Sequence, residues 1–216
     1  MVNNPFVLTS PDSRSAYGYG VLLLLLFLLL QACGERKLLS RVSESATILA
    51  FGDSLTSGVG VSSAHSYPYV LSRLSGRKVI NAGISGEVTK QGLARLAYVI
   101  AKTNPELMIL LEGGNDILRN HNLAVTKQNL SAMITLAKEQ GVQVVLIGVP
   151  QKQLFSDTAP LYRELAKEHK LVFEPELIAN LMRKRKFKSD TVHFNKAGYQ
   201  KMAEAIHELL RENGAL

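Results

Sequence analysis

The sequence predicts an α/β domain: a parallel sheet of about five strands with helices on both faces. Two patterns carry this expectation. Short apolar runs of strand length recur along the chain, and between them apolar residues recur at helical spacing. Length agrees, because 216 residues, less an N-terminal segment considered below, fit one domain.

Residues 47–51 form the first apolar run and read as a buried strand, with Gly52 opening the turn after it. A second strand is expected at 78–82. Leu93, Leu96, Ala97 and Ile100 then share one helical face. The run at 107–111 is the next strand, followed by a helix carrying Leu130, Met133, Ile134 and Ala137 on one side. Strands at 142–149 and 171–173 complete the set, and Tyr199, Met202, Ala203, Ile206 and Leu210 mark a C-terminal helix. The runs at 47–51 and 107–111 read as buried strands, as in a parallel sheet covered on both faces. No internal repeat, low-complexity block or second domain is evident.

Four short motifs fall in order along this frame: Gly52-Asp53-Ser54-Leu55, Gly86, Gly113-Gly114-Asn115-Asp116 and Asp190-Thr191-Val192-His193. A serine hydroxyl becomes a competent nucleophile when an imidazole takes its proton, and the imidazole needs an acceptor to fix its tautomer. Ser54, His193 and Asp190 have the chemistry for those roles. The backbone N–H groups of Ser54 and Gly86, with the Asn115 amide, are candidate donors to an oxyanion. Taken alone, Gly86 is an ordinary turn glycine and Asn115 an ordinary cap or turn residue. Position argues otherwise, since Ser54 and Asn115 each follow the carboxyl end of an expected strand, where open α/β sheets bind ligands. His65, His121, His169 and His207 lack such company and read as surface or satisfied core residues.

An α/β-hydrolase elbow needs Gly-x-Ser-x-Gly, and Thr56 stands where its second glycine belongs. In that fold the acid and histidine are also usually well separated, whereas Asp190 and His193 lie three residues apart. The ordered set instead resembles the SGNH (GDSL) hydrolase family, over most of the chain from about Ala46 onward. Within it, Ile48-Leu49-Ala50-Phe51-Gly52-Asp53-Ser54-Leu55, Asn81-Ala82-Gly83-Ile84-Ser85-Gly86 and Gln91-Gly92-Leu93-Ala94-Arg95-Leu96 look closest to the bacterial thioesterase, arylesterase and lysophospholipase group. The resemblance implies flavodoxin-like strand order 2-1-3-4-5. It also implies hydrolysis of acyl esters or thioesters through an acyl-enzyme, with Ser54, Asp190 and His193 catalytic and no cofactor. One position departs from the family pattern: Phe194 stands where relatives commonly carry proline. A carbohydrate O-acetylesterase of cell-envelope polymers and a catalytically silent envelope-binding protein are the alternatives.

The front of the chain is a separate object. Residues 21–30 are an unbroken apolar run, short for a membrane-spanning helix and suited to a signal-peptide core. Leu30-Gln31-Ala32-Cys33 follows and resembles a bacterial lipobox. The expected organisation is a lipoprotein signal peptide over 1–32, a lipidated Cys33 with a tether over 33–45, and the hydrolase domain over 46–216. The protein is then exported and held at a membrane facing the periplasm or cell exterior, as a monomer.

Cys33 is the only cysteine, which rules out an internal disulfide. There is no His-Glu-x-x-His, cysteine cluster or Walker-type loop, so metal and nucleotide chemistry find no support. The net charge of +7 has no nucleic-acid reading motif beside it, and no nucleic-acid partner is expected. The densest basic run, Arg183-Lys184-Arg185-Lys186 before Phe187 and Lys188, reads as a solvated face, or as a patch turning the catalytic mouth toward anionic lipid.

Overall fold

Five parallel strands form one sheet in the order β2-β1-β3-β4-β5, with β1 Thr47–Gly52, β2 Lys78–Gly83, β3 Leu107–Leu111, β4 Gln143–Ile147 and β5 Val172–Glu174. The computed structural model describes residues 38–152 and 157–216, besides Met1. The folded unit is Lys37–Leu216. Every residue of β3 is inaccessible or nearly so, and β1 and β4 are buried beyond their first residue, as their apolar character requires.

Eight α-helices occur among the described residues: α1 Ser54–Ser57, α2 Tyr67–Ser75, α3 Thr89–Thr103, α4 Gly114–Leu118, α5 Leu123–Glu139, α6 Pro160–His169, α7 Leu177–Met182 and α8 Lys196–Glu212. Helices α2 and α7 pack against α8, while α5 packs against both α3 and α6. These groups cover the two faces of the sheet. The apolar stripes read from sequence are buried in α5 (Leu130, Met133, Ile134 and Ala137) and α8 (Tyr199, Met202, Ala203, Ile206 and Leu210); in α3, Leu96 and Ile100 are buried, Leu93 is half-buried and Ala97 is exposed. Helices α2, α4, α6 and α7, each of ten residues or fewer, had no sequence expectation.

The β3 limits are the expected ones and the other strands differ by one or two residues, the shift at β5 being from 171–173 to Val172–Glu174. The region expected as a tether differs more. Leu39 and Val42 are buried, and their N–H groups donate to the Asn213 and Ala215 carbonyls. The Ser40 N–H donates to Gln143 at the start of β4, and the Ser43 N–H and hydroxyl donate to Glu106 just before β3. Residues 38–45 therefore belong to the folded unit and lie along the N-terminal edge of the sheet. Cys33, the apolar run 21–30 and the remainder of the expected leader fall outside the described residues.

Candidate active site

The C-terminal edge of the sheet carries the site. β1 ends at Gly52, where a Cβ would sit 1.9 Å from the Leu111 carbonyl oxygen, so only glycine lets the turn pass so close to β3. Asp53 then caps α1, its carboxylate accepting from the Leu55 N–H at 3.1 Å, and Ser54 is the first residue of that helix. On the other side, a short antiparallel bridge between Lys188 and Phe194 closes the loop carrying Asp190 and His193. The Ser189 N–H donates to the His193 carbonyl at 3.0 Å within it.

These two segments bring Ser54 and His193 together across 139 residues of chain: Ser54 Oγ lies 3.0 Å from His193 Nε2. His193 Nδ1 lies 2.8 Å from Asp190 Oδ2, while Asp190 Oδ1 accepts from the Val192 and His193 N–H groups at 2.8 Å each. Burial works against the Asp190 carboxylate, but these hydrogen bonds outweigh it and hold its pKa down to about 2. It therefore stays ionised at any ordinary pH and holds His193 in the tautomer with its proton on Nδ1, leaving Nε2 free to accept from Ser54.

Gly86 adopts φ +78°, the left-handed region that glycine enters without strain. Asn115 lies in the first turn of α4, where its side-chain amide donates to the Glu87 carbonyl at 2.9 Å. One amide hydrogen is thereby used to orient the group, and the second remains for a ligand. The loop holding Glu87 is braced in turn. Arg95 from α3 reaches Glu87 with both Nε (2.7 Å) and Nη2 (2.5 Å), donates to the Ala82 carbonyl at 2.8 Å, and lies 4.0 Å over the Phe51 ring. Asp116 ties α4 to the start of α3 by accepting from the Thr89 N–H and hydroxyl.

Ser54, Gly86, Asn115, Asp190 and His193, drawn from four separate loops, all line one open cleft of about 1030 Å³. Ile117, Leu118, Val149 and Met182 give it an apolar wall. Burial pushes the Asp53 carboxyl, beneath Ser54, up to about 6. The other histidines lie elsewhere: His65 pairs with Ser62, His169 with Ser131, and His121 is 3.9 Å from Asp116. Phe194 is fully buried and meets Tyr199 edge-on at 5.7 Å, so packing holds the loop beside His193. Sequence reasoning missed Arg95 and Glu87 as parts of the site, although Arg95 sits in one of the family-like strings. Among the described residues no group of three or more His, Cys, Asp or Glu side chains is placed to hold a metal.

Residues 50–201 match the model of the GDSL-like lipase/acylhydrolase family. The chain belongs to this family and is a serine hydrolase acting on ester bonds. Among its relatives, it is 35% identical to esterase TesA of Pseudomonas aeruginosa over 142 residues, covering 63% of this chain and 69% of that protein. It is 30% identical to thioesterase 1/protease 1/lysophospholipase L1 of Escherichia coli over 167 residues, 72% of this chain and 79% of the relative. The fold superposes on the crystal structure of TesA with a TM-score of 0.70 at 25% identity, covering 77% of this chain and 99% of that one. On AlinE4, an SGNH-hydrolase family esterase, the TM-score is 0.62 at 30% identity, with 79% and 97% covered.

Proposed function

We propose that this enzyme hydrolyses carboxylic esters and thioesters through an acyl-enzyme on Ser54. The observation that carries the reading is the continuous hydrogen-bonded line from Ser54 Oγ through His193 to Asp190 in the lining of the cleft. Ser54 Oγ attacks the acyl carbonyl carbon while His193 Nε2 takes its proton. The carbonyl oxygen becomes an oxyanion, stabilised by the N–H groups of Ser54 and Gly86 and by the Asn115 amide. Collapse of the intermediate breaks the bond to the leaving alcohol or thiol, which takes the proton back from His193. A water molecule then attacks the acyl-Ser54 ester by the same route, releasing the acid. Every group invoked comes from one chain.

The apolar wall favours an acyl chain over the acetyl group of a sugar ester. Ser54→Ala and His193→Ala should each reduce phenyl acetate turnover by at least about a thousandfold while circular dichroism stays native, because the two residues act as a unit. A fluorophosphonate should label Ser54, read by peptide mass. Wild-type turnover in Ser54→Ala overturns the assignment.

The finer reading is an exported lipoprotein anchored through Cys33. Its support is the apolar run 21–30 followed by Leu30-Gln31-Ala32-Cys33. Among the described residues no helix is long and apolar enough to cross a membrane. Cys33→Ser should move the active enzyme from the membrane to the soluble fraction, because acyl chains contribute about 0.8 kcal/mol per buried CH₂. An unmodified Cys33 in the membrane-bound protein overturns it.

A further inference from the structure

The cleft that holds Ser54 and His193 has a basic rim: Lys152, Arg183, Arg185 and Lys188 all line it. The two acids in the lining are already engaged, Asp53 in capping α1 and Asp190 with His193. Two of the four cations are engaged too. Arg183 pairs with Asp157 at 2.5 Å, and Lys152 Nζ reaches Asn120 at 3.1 Å. Arg185 and Lys188, by contrast, have no carboxylate partner among the described residues.

Their placement relative to the reacting atoms is rigid. Lys188 bridges to Phe194, one residue from His193, and Asn195 holds the Lys186 and Lys188 carbonyls through its side-chain amide at 2.9 and 3.2 Å. The Asn195 N–H donates to the Phe187 carbonyl at 3.0 Å, and Arg185 begins the 3₁₀ turn that ends at Phe187. The segment bearing both cations is thus built onto the same loop as His193. A flexible basic tail on a remote face would have no such relation to Ser54.

Two anionic occupants fit free cations beside an acyl site: a charged group on the substrate, or a membrane surface. The fold favours the first. Arg185 and Lys188 line the same cleft as Ser54 and His193 and sit on the segment joined to the His193 loop, so a charged group on a substrate held at Ser54 falls within that lining.

We infer that Arg185 and Lys188 determine specificity for acyl esters whose leaving group carries a phosphate. The inference rests on the esterase reading above and names its substrate class. The acyl chain lies on the wall formed by Ile117, Leu118, Val149 and Met182, and the phosphate meets the guanidinium and ammonium at the rim. Lysophospholipid-type oxygen esters and thioesters of a phosphate-bearing thiol share this chemistry.

The test uses matched monomeric substrates that differ only in the phosphate: hexanoyl glycerol 3-phosphate against hexanoyl glycerol, and hexanoyl 4′-phosphopantetheine against hexanoyl pantetheine. The readout is the ratio of kcat/KM within each pair. Wild type should prefer the phosphate-bearing member, and the double variant Arg185→Gln, Lys188→Gln should lower the ratio by about tenfold or more. Arg185→Lys with Lys188→Arg should keep most of the preference. A fall in one pair alone identifies the leaving group and supports the inference; a fall in both supports the shared phosphate chemistry.

An unchanged ratio in both pairs, with all substrates turned over, overturns the inference and leaves the esterase reading intact. Equal loss on both members of a pair assigns the cations to holding the His193 loop, and also overturns it. Loss seen only with anionic vesicles, the monomeric ratios being unaffected, assigns them to a membrane surface with the same result. No hydrolysis of any of the four substrates by the wild type overturns the esterase reading and the inference with it.

Discussion

Asn115 shows how a single side chain is prepared before any substrate arrives. Its amide is held by the Glu87 carbonyl, so the remaining hydrogen points without a search through rotamers when charge develops on the substrate oxygen. An interaction made only in the transition state lowers kcat and leaves KM alone when removed. Asn115→Ala should therefore cut kcat by about a hundredfold or more with little change in KM; a rise in KM alone would assign the residue to ground-state binding. Asp190 is prepared in the same sense, since two backbone N–H groups occupy one oxygen and aim the other at the imidazole. Histidine type and spacing made that pair legible in the sequence. The Glu87 carbonyl was not legible, because a backbone acceptor carries no residue signature.

At the scale of elements, the loops after β1, β2 and β3 depend on a residue outside all of them. Arg95, projecting from α3, links the Ala82 carbonyl at the end of β2 to Glu87 in the loop that orients Asn115, and stacks on Phe51 of β1. The Glu87 side chain is 3% exposed, so without Arg95 it is a buried charge lacking a partner. Breaking such a pair typically costs about 3 kcal/mol. Arg95→Ala should lower the urea midpoint and also lower kcat by about tenfold with a small KM change, since the residue acts through Asn115 as a positioning residue. Arg95→Lys restores the charge but not the planar fork, and should recover stability only in part. Loss of stability with kcat untouched would confine Arg95 to packing. Close approach matters here as well: a Cβ on Gly83 would fall 2.1 Å from the Ser57 nitrogen, so β2 and α1 meet backbone to backbone just behind Ser54.

For the whole molecule, the site concentrates acids in the protein interior. Asp53, Glu87, Glu112 and Asp116 are all buried, and among the described residues neither carboxyl oxygen of Glu112 has a hydrogen-bond partner. Burial, reinforced by the neighbouring carboxylates of Asp53, Glu87 and Asp116, pushes the Glu112 pKa up to about 10. Its value rises on folding, so the native state holds a proton that the unfolded chain releases above about 4.5. The stability associated with that proton is present in full below about 4.5 and is lost as pH rises toward 10, by up to about 1.4 kcal/mol for each pH unit. Glu112→Gln keeps the shape without the titration. Urea denaturation at pH 5, 7 and 9 should show the wild type weakening relative to Glu112→Gln as pH rises; parallel curves would mean that the carboxyl is solvated in the native state.

The sequence by itself determined the sheet and the chemistry placed on it. The short apolar runs at 47–51 and 107–111 are central strands, and Ser54 and Asn115 follow them at a distance the covalent chain sets. The fold class, the family and the ester-hydrolase chemistry were legible for that reason, because local pattern and short spacing survive without knowledge of the third dimension. Tertiary structure alone decided what depends on segments far apart in sequence. Leu39 and Val42 look like tether residues until Asn213 and Ala215 pair with them. Arg95 looks like a surface residue of a helix until Glu87 and Phe51 close around it. The basic run 183–188 looks like a solvated face until the His193 loop sets Arg185 and Lys188 on the rim of the cleft. Hydrophobic periodicity records which side of an element is buried, but not which distant residues bury it, and the electrostatics of a site follow from those distant partners.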